Sequence, residues 1–94
     1  MNTQDVFKAI ADPTRRQILR LLRDGSKTAG ELAEAFDITK ASLTYHFNTL
    51  KAADLIRSER RGQHQVYSLN TSVFEDMATL LMELFEPRKK GKTR

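Results

Sequence analysis

The stretch "TAGELAEAFDITKASLTYHFNTLKAA", residues 28–53, decides the fold of this chain. Thr28 and Glu31 form the T-x-x-E pattern of a capping box, which predicts a helix that continues through Phe36. Thr39 is a residue type that favours the helix N-cap, and it predicts a second helix over the rest of the stretch. A break of about three residues between two helices is the spacing of a helix-turn-helix motif. We therefore predict that motif here.

The sequence before this stretch predicts two further helices. A short helix over residues 3–11 carries apolar residues at the spacing of one helical face. The next helix begins with Asp12 as N-cap and Pro13 in its first turn, and Gly25 ends it. Two helices thus precede the helix-turn-helix.

The sequence after the stretch predicts a hairpin and one more helix. The strands "DLIRSER" and "QVYSLN" flank a polar turn at residues 61–64, which is the pattern of a β-hairpin. A second capping box, Ser72 with Glu75, predicts a last helix that Pro87 ends. The predicted fold class is mainly α with a small β-hairpin wing, a winged helix-turn-helix, in one domain over residues 1–87.

The net charge of +4 is not by itself a sign of nucleic-acid binding. Five positive charges lie in residues 88–94, and without them the net charge falls to −1. We predict that this basic tail is disordered. Any argument for DNA binding must therefore come from where individual side chains lie.

Several classes of protein are excluded by composition. The chain has no cysteine, so it has no disulfides, thiolate metal sites or cysteine nucleophile. No apolar run approaches the roughly 20 residues that span a bilayer, and no secretory signal follows Met1. We predict a cytoplasmic protein without membrane insertion.

The helix that follows Thr39 has an apolar stripe and a polar outer face. At about 100° per residue, Leu43, Phe47 and Leu50 share one side, and Tyr45 lies opposite them. The outer residues are short and polar, which suits a helix that enters a major groove about 12 Å wide. A tolerated surface aromatic is the alternative interpretation of Tyr45 alone. We predict DNA contacts from the outer face of this helix: Lys40, Ala41, Ser42, Thr44, Tyr45, His46 and Asn48. For His46, packing beside Phe47 is the alternative.

The hairpin concentrates hydrogen-bond donors around its turn, against the single acid Glu59. Arginines at this position suit contacts with phosphates or with an adjacent minor groove. A solvated edge that blocks strand pairing is the alternative, and His64 also fits a simple polar turn residue. The predicted DNA-binding residues of the wing are Arg57, Arg60, Arg61, Gln63 and His64.

Three motifs in this order and spacing resemble the ArsR family of bacterial winged-helix repressors: "IADPTRRQILRLL", "AGELAEAFDITKASLTYHFNTLKAADLI" and "RRGQHQVYSLN". The resemblance covers roughly residues 4–85. Within the family the chain is most similar to the SdpR-like autorepressors, which lack the usual metal motifs. The resemblance implies a homodimer that pairs through its first and last helices and binds a pseudo-palindromic operator in double-stranded DNA.

The resemblance also assigns roles to residues. The family's base-contacting positions fall on Lys40, Ala41, Ser42, Thr44 and Tyr45, and the basic wing position falls on Arg61. The last helix is independently suited to pairing, because its apolar residues cover more than a narrow stripe. Packing within one chain is the alternative. The implied dimer interface consists of Val6, Phe7, Ile10, Val73, Phe74, Met77, Leu80, Leu81 and Leu84.

The metal-sensing motifs of the family are missing. Metal-sensing members place cysteines in the third helix, or histidines and carboxylates in the last. Here the third predicted helix has no cysteine and the last has no histidine, whereas zinc favours nitrogen and sulfur ligands. The acids of the last helix, Glu75, Asp76, Glu83 and Glu86, fit a solvated face. We predict no metal site and no cofactor.

The predicted function is a sequence-specific, homodimeric transcriptional repressor, with autorepression as one form. An interaction module for protein or RNA is the alternative, and the polar face around Thr44, Tyr45 and Asn48 argues against it. An enzyme is not predicted: Ser42 and His46 are four residues apart on one helix, but nothing supplies an oriented carboxylate or a phosphate-binding loop. A small molecule, a sequestering protein or simple concentration dependence stay open as the signal that relieves repression.

Overall fold

The computed structural model describes residues 2–87, and the prediction of a disordered tail at residues 88–94 lies outside them. The described chain contains five helices and three strands in the order of a winged helix-turn-helix, which confirms the predicted fold class. Their bounds are α1 Thr3–Ile10, α2 Pro13–Leu22, β1 Lys27–Thr28, α3 Ala29–Ala33, α4 Lys40–Ala52, β2 Ile56–Arg61, β3 His64–Leu69 and α5 Thr71–Phe85.

Side-chain caps fix the start of α1, α2, α3 and α4, and the sequence predicts the last three of them. Asp12 accepts the N3 backbone N–H of α2 at 3.0 Å, and Thr39 does the same for α4 at 3.0 Å. At α3 the capping box is complete: the Thr28 N–H donates to Glu31 Oε1 at 2.8 Å, and the Glu31 N–H donates to Thr28 Oγ1 at 3.1 Å. These bonds satisfy N–H groups that have no partner within their helix.

One core joins the helices to the sheet. The stripe of α4 is buried as predicted, with Leu43, Phe47 and Leu50 at most 4% exposed. The Phe47 ring lies 4.4 Å, centroid to centroid, from the Tyr67 ring of β3. Ile18 of α2 is also fully buried in this core. The inner side of α4 is thus buried, whereas its outer residues are exposed to solvent.

The sheet has one more strand than the sequence predicted. The two-residue strand β1 pairs antiparallel with β3, so β3 is the central strand in the order β1-β3-β2. The hairpin turn is also shorter than predicted: it consists of Gly62 and Gln63 alone, because Arg61 and His64 still pair. Gly62 has φ of +62° and Gln63 has negative φ, which is the pattern of a type II′ turn with glycine first.

Two predicted helix boundaries are wrong. Helix α3 ends at Ala33 and not at Phe36. Helix α5 starts one residue before Ser72, and no side chain caps it. Ser72 Oγ donates instead to Asn70 Oδ1 at 3.0 Å, while Asn70 Nδ2 donates to the Asp54 carbonyl at 2.9 Å. The polar groups here tie the start of α5 to the turn that follows α4.

The caps predict how stability responds to acid. Burial raises the pKa of Asp12, but the hydrogen bond from the Arg15 backbone N–H and the nearby Arg15 charge favour the carboxylate, and the pKa lies below 3.8. A carboxyl with a depressed pKa contributes stability that is present above its unfolded pKa, near 4, and is lost as pH falls through the folded value. We expect the urea concentration at the midpoint of unfolding to decrease when the pH is lowered below about 4.

The contribution of Asp12 can be isolated by substitution. Asp12→Asn retains an N-cap acceptor but cannot titrate, so this variant is expected to lose less stability between about pH 5 and pH 2 than the unmodified chain. The exposed Asp24→Asn is the matched control. An equal effect of the two substitutions on the acid response would contradict the role given to Asp12.

Candidate nucleic-acid interface

The outer face of α4 presents polar groups without internal partners. Tyr45 is 62% exposed. Within residues 2–87, no hydrogen bond occupies the side chains of Lys40, Ser42, Thr44, Tyr45 or Asn48. Their donors and acceptors are free to meet an external ligand. The structure brings these predicted residues, together with Ala41, to one exposed surface of one helix: Lys40, Ala41, Ser42, Thr44, Tyr45 and Asn48.

The charge of this face is uniform. No acidic residue occurs between Thr39 and Ala53, and Lys40 stands at the first position of the helix. The helix N-terminus adds partial positive charge from its free N–H groups. A phosphate can therefore approach the start of α4 without meeting a carboxylate of this helix.

His46 is not brought together with the other predicted residues of α4. Its side chain is 14% exposed and turns toward α2. There His46 Nδ1 lies 3.1 Å from Arg15 Nη1 and 3.9 Å from Asp12 Oδ2. The ring nitrogen facing α2 is thus engaged within the protein, and a contact of His46 with DNA stays a prediction.

The tip of the wing carries Arg60, Arg61, Gln63 and His64, all of them exposed. Arg61 Nε donates to Glu59 Oε2 at 2.7 Å, and both side chains are more than 60% exposed. Such a solvated ion pair contributes only about 0–1 kcal/mol. Arg61 can therefore exchange Glu59 for a phosphate at little cost.

Arg57 lies apart from the tip. It is the second residue of β2, and its Nη2 donates to Asn70 Oδ1 at 3.2 Å beside the start of α5. Arg61 lies four positions further along β2, roughly 13 Å away at the usual rise per residue. The structure thus places Arg57 at the base of the wing, beside the start of α5. The alternation of residue types in the strand does not predict this contact.

The predicted interface residues divide into two groups. Val6, Val73 and Met77 are at most 6% exposed within a single chain and pack in the core of the protomer, while their part in a subunit interface stays a prediction. The others reach the surface at least in part: Phe7, Ile10, Phe74, Leu80, Leu81 and Leu84.

An open apolar groove of about 250 Å³ runs between α1 and α5. Phe7, 41% exposed, and Leu81, 38% exposed, stand at its surface, and Val6 and Met77 form part of its floor. The predicted interface residues do not include Met82 and Phe85, two large apolar side chains of α5 that are 53% and 79% exposed. Their apolar type in an amphipathic helix was the available signal.

Two further kinds of feature are absent from residues 2–87. In that part of the chain, no three His, Cys, Asp or Glu residues cluster closely enough to hold a metal ion. No helix there has the length and apolar character needed to cross a membrane.

Comparisons with known proteins agree with this geometry. The family described as a helix-turn-helix domain matches residues 10–59. The transcriptional repressor SdpR of Bacillus subtilis is 56% identical over 72 residues, which are 77% of this chain and 80% of that protein. The arsenical resistance operon repressor of the same organism is 38% identical over 90 residues, covering 90% of this chain and 81% of the relative.

A solved structure resembles this chain over most of its length. The crystal structure of an ArsR family transcriptional regulator superposes with a TM-score of 0.78 at 32% identity, over 93% of both chains. The resemblance found in the sequence motifs is thereby confirmed. This chain belongs to the ArsR family of winged helix-turn-helix DNA-binding transcriptional regulators.

Proposed function

We propose that this protein is a homodimeric repressor that binds a pseudo-palindromic operator and needs no metal ion to do so. The observation that carries the proposal is the outer face of α4, whose polar side chains are exposed and unpaired while the opposite side is locked into the core. Such a helix is rigid on one side and free to bind on the other. A repressor of this kind would act where the chromosome lies, in the cytoplasm.

Helix α4 enters the major groove in this proposal. Tyr45 lies at the centre of the exposed face and Thr44 at its side, and both contact base edges, which differ between base pairs in the major groove. Lys40 contacts a phosphate or a guanine at the start of the helix. Ala41 offers only apolar contact, for example with a thymine methyl group. The sequence preference thus comes from a few short side chains.

The wing supplies contacts that do not depend on sequence. Arg60 and Arg61 neutralise phosphates beside the groove, and each such contact adds to the salt dependence of binding. Phosphate contacts set register and orientation, whereas base contacts set specificity. The two elements therefore have separable roles that mutation can test.

Pairing of two copies through the α1–α5 groove extends the site. Two α4 helices about 34 Å apart would contact successive major grooves on one side of the duplex. Metal independence is supported by the residues of α3 and α5, which include neither cysteine nor histidine.

Thr44→Ala and Tyr45→Ala are each expected to weaken specific binding by about 1–3 kcal/mol and to leave nonspecific binding nearly unchanged. The site can be selected in vitro from random DNA, and affinity measured by gel shift on that site and on a scrambled duplex. Thr49→Ala is the matched control, since the Thr49 hydroxyl donates to the Tyr45 carbonyl inside the protein. Equal losses on both duplexes would contradict base contacts.

Arg61→Ala is expected to weaken binding to every sequence and to lower the slope of log affinity against log salt by about 1. Glu59→Gln is expected to strengthen binding to every sequence and to raise that slope. The substitution releases Arg61 from its 2.7 Å ion pair and removes a charge that repels phosphate. Titrations at four salt concentrations measure both slopes. An unchanged slope for Arg61→Ala would remove the wing tip from the interface.

The function as a whole is tested on the promoter of the protein's own gene. We expect a salt-sensitive, sequence-dependent gel shift and lower expression of a reporter behind that promoter when the protein is present. Binding to RNA or protein with no sequence-dependent DNA shift would favour an interaction module instead.

A further inference from the structure

Arg15, near the start of α2, is bonded to two other helices. Its Nε donates to the Ala9 carbonyl at 2.6 Å, and its Nη2 donates to the Lys8 carbonyl at 3.1 Å. Both carbonyls lie in the last turn of α1, where acceptors are less fully used within the helix; the Lys8 carbonyl also accepts the Ala11 N–H at 3.3 Å. The remaining terminal nitrogen, Nη1, lies 3.1 Å from His46 Nδ1 on α4.

The chemistry of this contact fixes the state of the histidine. A guanidinium group has donors only and stays protonated, so His46 Nδ1 must be the acceptor. The ring is therefore neutral with its proton on Nε2. His46 directly follows Tyr45 on α4, so the same helical turn carries a contact inside the protein and a contact offered to DNA.

We propose that Arg15, acting through His46, is a positioning residue that fixes the orientation of α4 relative to α1. The inference rests on the proposed function, in which α1 lies at the dimer interface and α4 binds DNA. If α1 packs against the partner subunit, then the three hydrogen bonds of the Arg15 guanidinium determine the position of each α4. They thereby determine the distance between the two DNA-binding helices of the dimer. Arg15 thereby determines which spacing of operator half-sites the dimer accepts.

The geometry of arginine is required for this role. The planar guanidinium makes three bonds in three directions at once, whereas a lysine ammonium at the end of a flexible stem cannot reproduce the fork. Arg16 provides a natural comparison, because its Nη1 caps the Ile10 carbonyl at 2.9 Å and is not bonded to α4. Arg16 therefore shares the capping of α1 with Arg15 but lacks the link to the DNA-binding helix.

The test uses five proteins: wild type, Arg15→Lys, Arg16→Lys, His46→Leu and His46→Asn. Asparagine places an acceptor near the position of Nδ1, and leucine does not. Each protein is titrated against the in vitro selected site and against versions with the half-sites one base pair closer or farther apart. Urea unfolding of each variant measures stability in parallel.

We expect Arg15→Lys and His46→Leu to lose about tenfold affinity for the selected spacing, the scale of one charge-assisted hydrogen bond. Their preference for that spacing over the altered ones should shrink as well. His46→Asn should recover most of the preference for the selected spacing. Arg16→Lys should keep that preference even if its free energy of unfolding is lower. Restored spacing preference in His46→Asn is an effect that a DNA contact through Nε2 would not produce.

The opposite result is equally clear. If Arg15→Lys and His46→Leu lose affinity equally at all spacings, in proportion to lost stability, the residues are only structural and the inference is wrong. If the wild-type protein itself shows no preference for spacing, or binds as a monomer, the proposed dimeric function fails first.

Discussion

In the proposed dimer, Leu81→Glu is expected to dissociate the two subunits and to weaken operator binding by about 100-fold or more. Leu81 stands at the surface of the apolar groove between α1 and α5, 38% exposed in the single chain. A carboxylate there would have to lose its hydration without a partner when a second chain covers the groove. A monomer binds one half-site, and the gain in effective concentration from linking two contacts is lost.

Sedimentation at micromolar concentration and gel shifts on the selected site measure the two effects. Thr79→Glu is the matched control: it adds the same charge to α5 on an exposed position nearly opposite to the groove in the helical wheel. It should leave both measurements unchanged. The dimer proposal would be falsified if the wild-type protein sedimented as a monomer, or if Leu81→Glu stayed dimeric with full affinity.

Leu50→Ala is expected to lower the free energy of unfolding by about 2–5 kcal/mol. Leu50 is fully buried at the centre of the core, and its carbonyl also accepts the Leu55 N–H at 3.0 Å where the chain turns toward β2. A small domain is stable by only about 5–15 kcal/mol, so the variant should unfold at much lower urea concentration. The proposed DNA-binding face would be lost with the helix that carries it.

Ile38→Ala is the control for this variant, because Ile38 is an aliphatic residue of the same region that is 41% exposed. Its substitution should cost clearly less than that of Leu50, since much of its surface already meets water. Equal losses in a urea titration would show that the side of α4 facing the core has been misidentified.

Much of this fold is predictable because helix starts are local in sequence. Asp12, Thr28 and Thr39 each cap a helix whose N3 residue is three positions away, so a short window contains both partners. The apolar stripe of α4 is similarly local, and it identifies both the buried side and the exposed side of the helix. The outer residues of the candidate site follow from that stripe alone.

What the sequence could not predict depends on distant partners. Strand β1 has only two residues and exists because Lys27 and Thr28 meet Tyr67 and Val66 across the sheet. His46 turns inward because Arg15, 31 positions earlier, supplies a donor. No window of sequence contains both members of either pair.

Core and interface are also indistinguishable by residue type. Val73 and Met77 share the apolar character and the spacing of Leu81 and Leu84, yet the first two are buried and the last two are exposed. Periodicity identifies the apolar face of a helix, but it does not show whether that face packs within the same chain or against a second subunit. Only the position of α1 and the sheet against α5 separates the two groups.

The three-stranded sheet has a consequence for how this wing can evolve. Strand β1 supports β3 only at Val66 and Tyr67, so beyond that point the wing is a two-stranded ribbon outside the core. Inserting one pair of facing residues would lengthen the ribbon by about 3.4 Å and turn Arg61 to the other side. Two pairs would restore its side at a greater reach. If the wing contacts DNA as proposed, such insertions change its reach in steps without altering a buried residue.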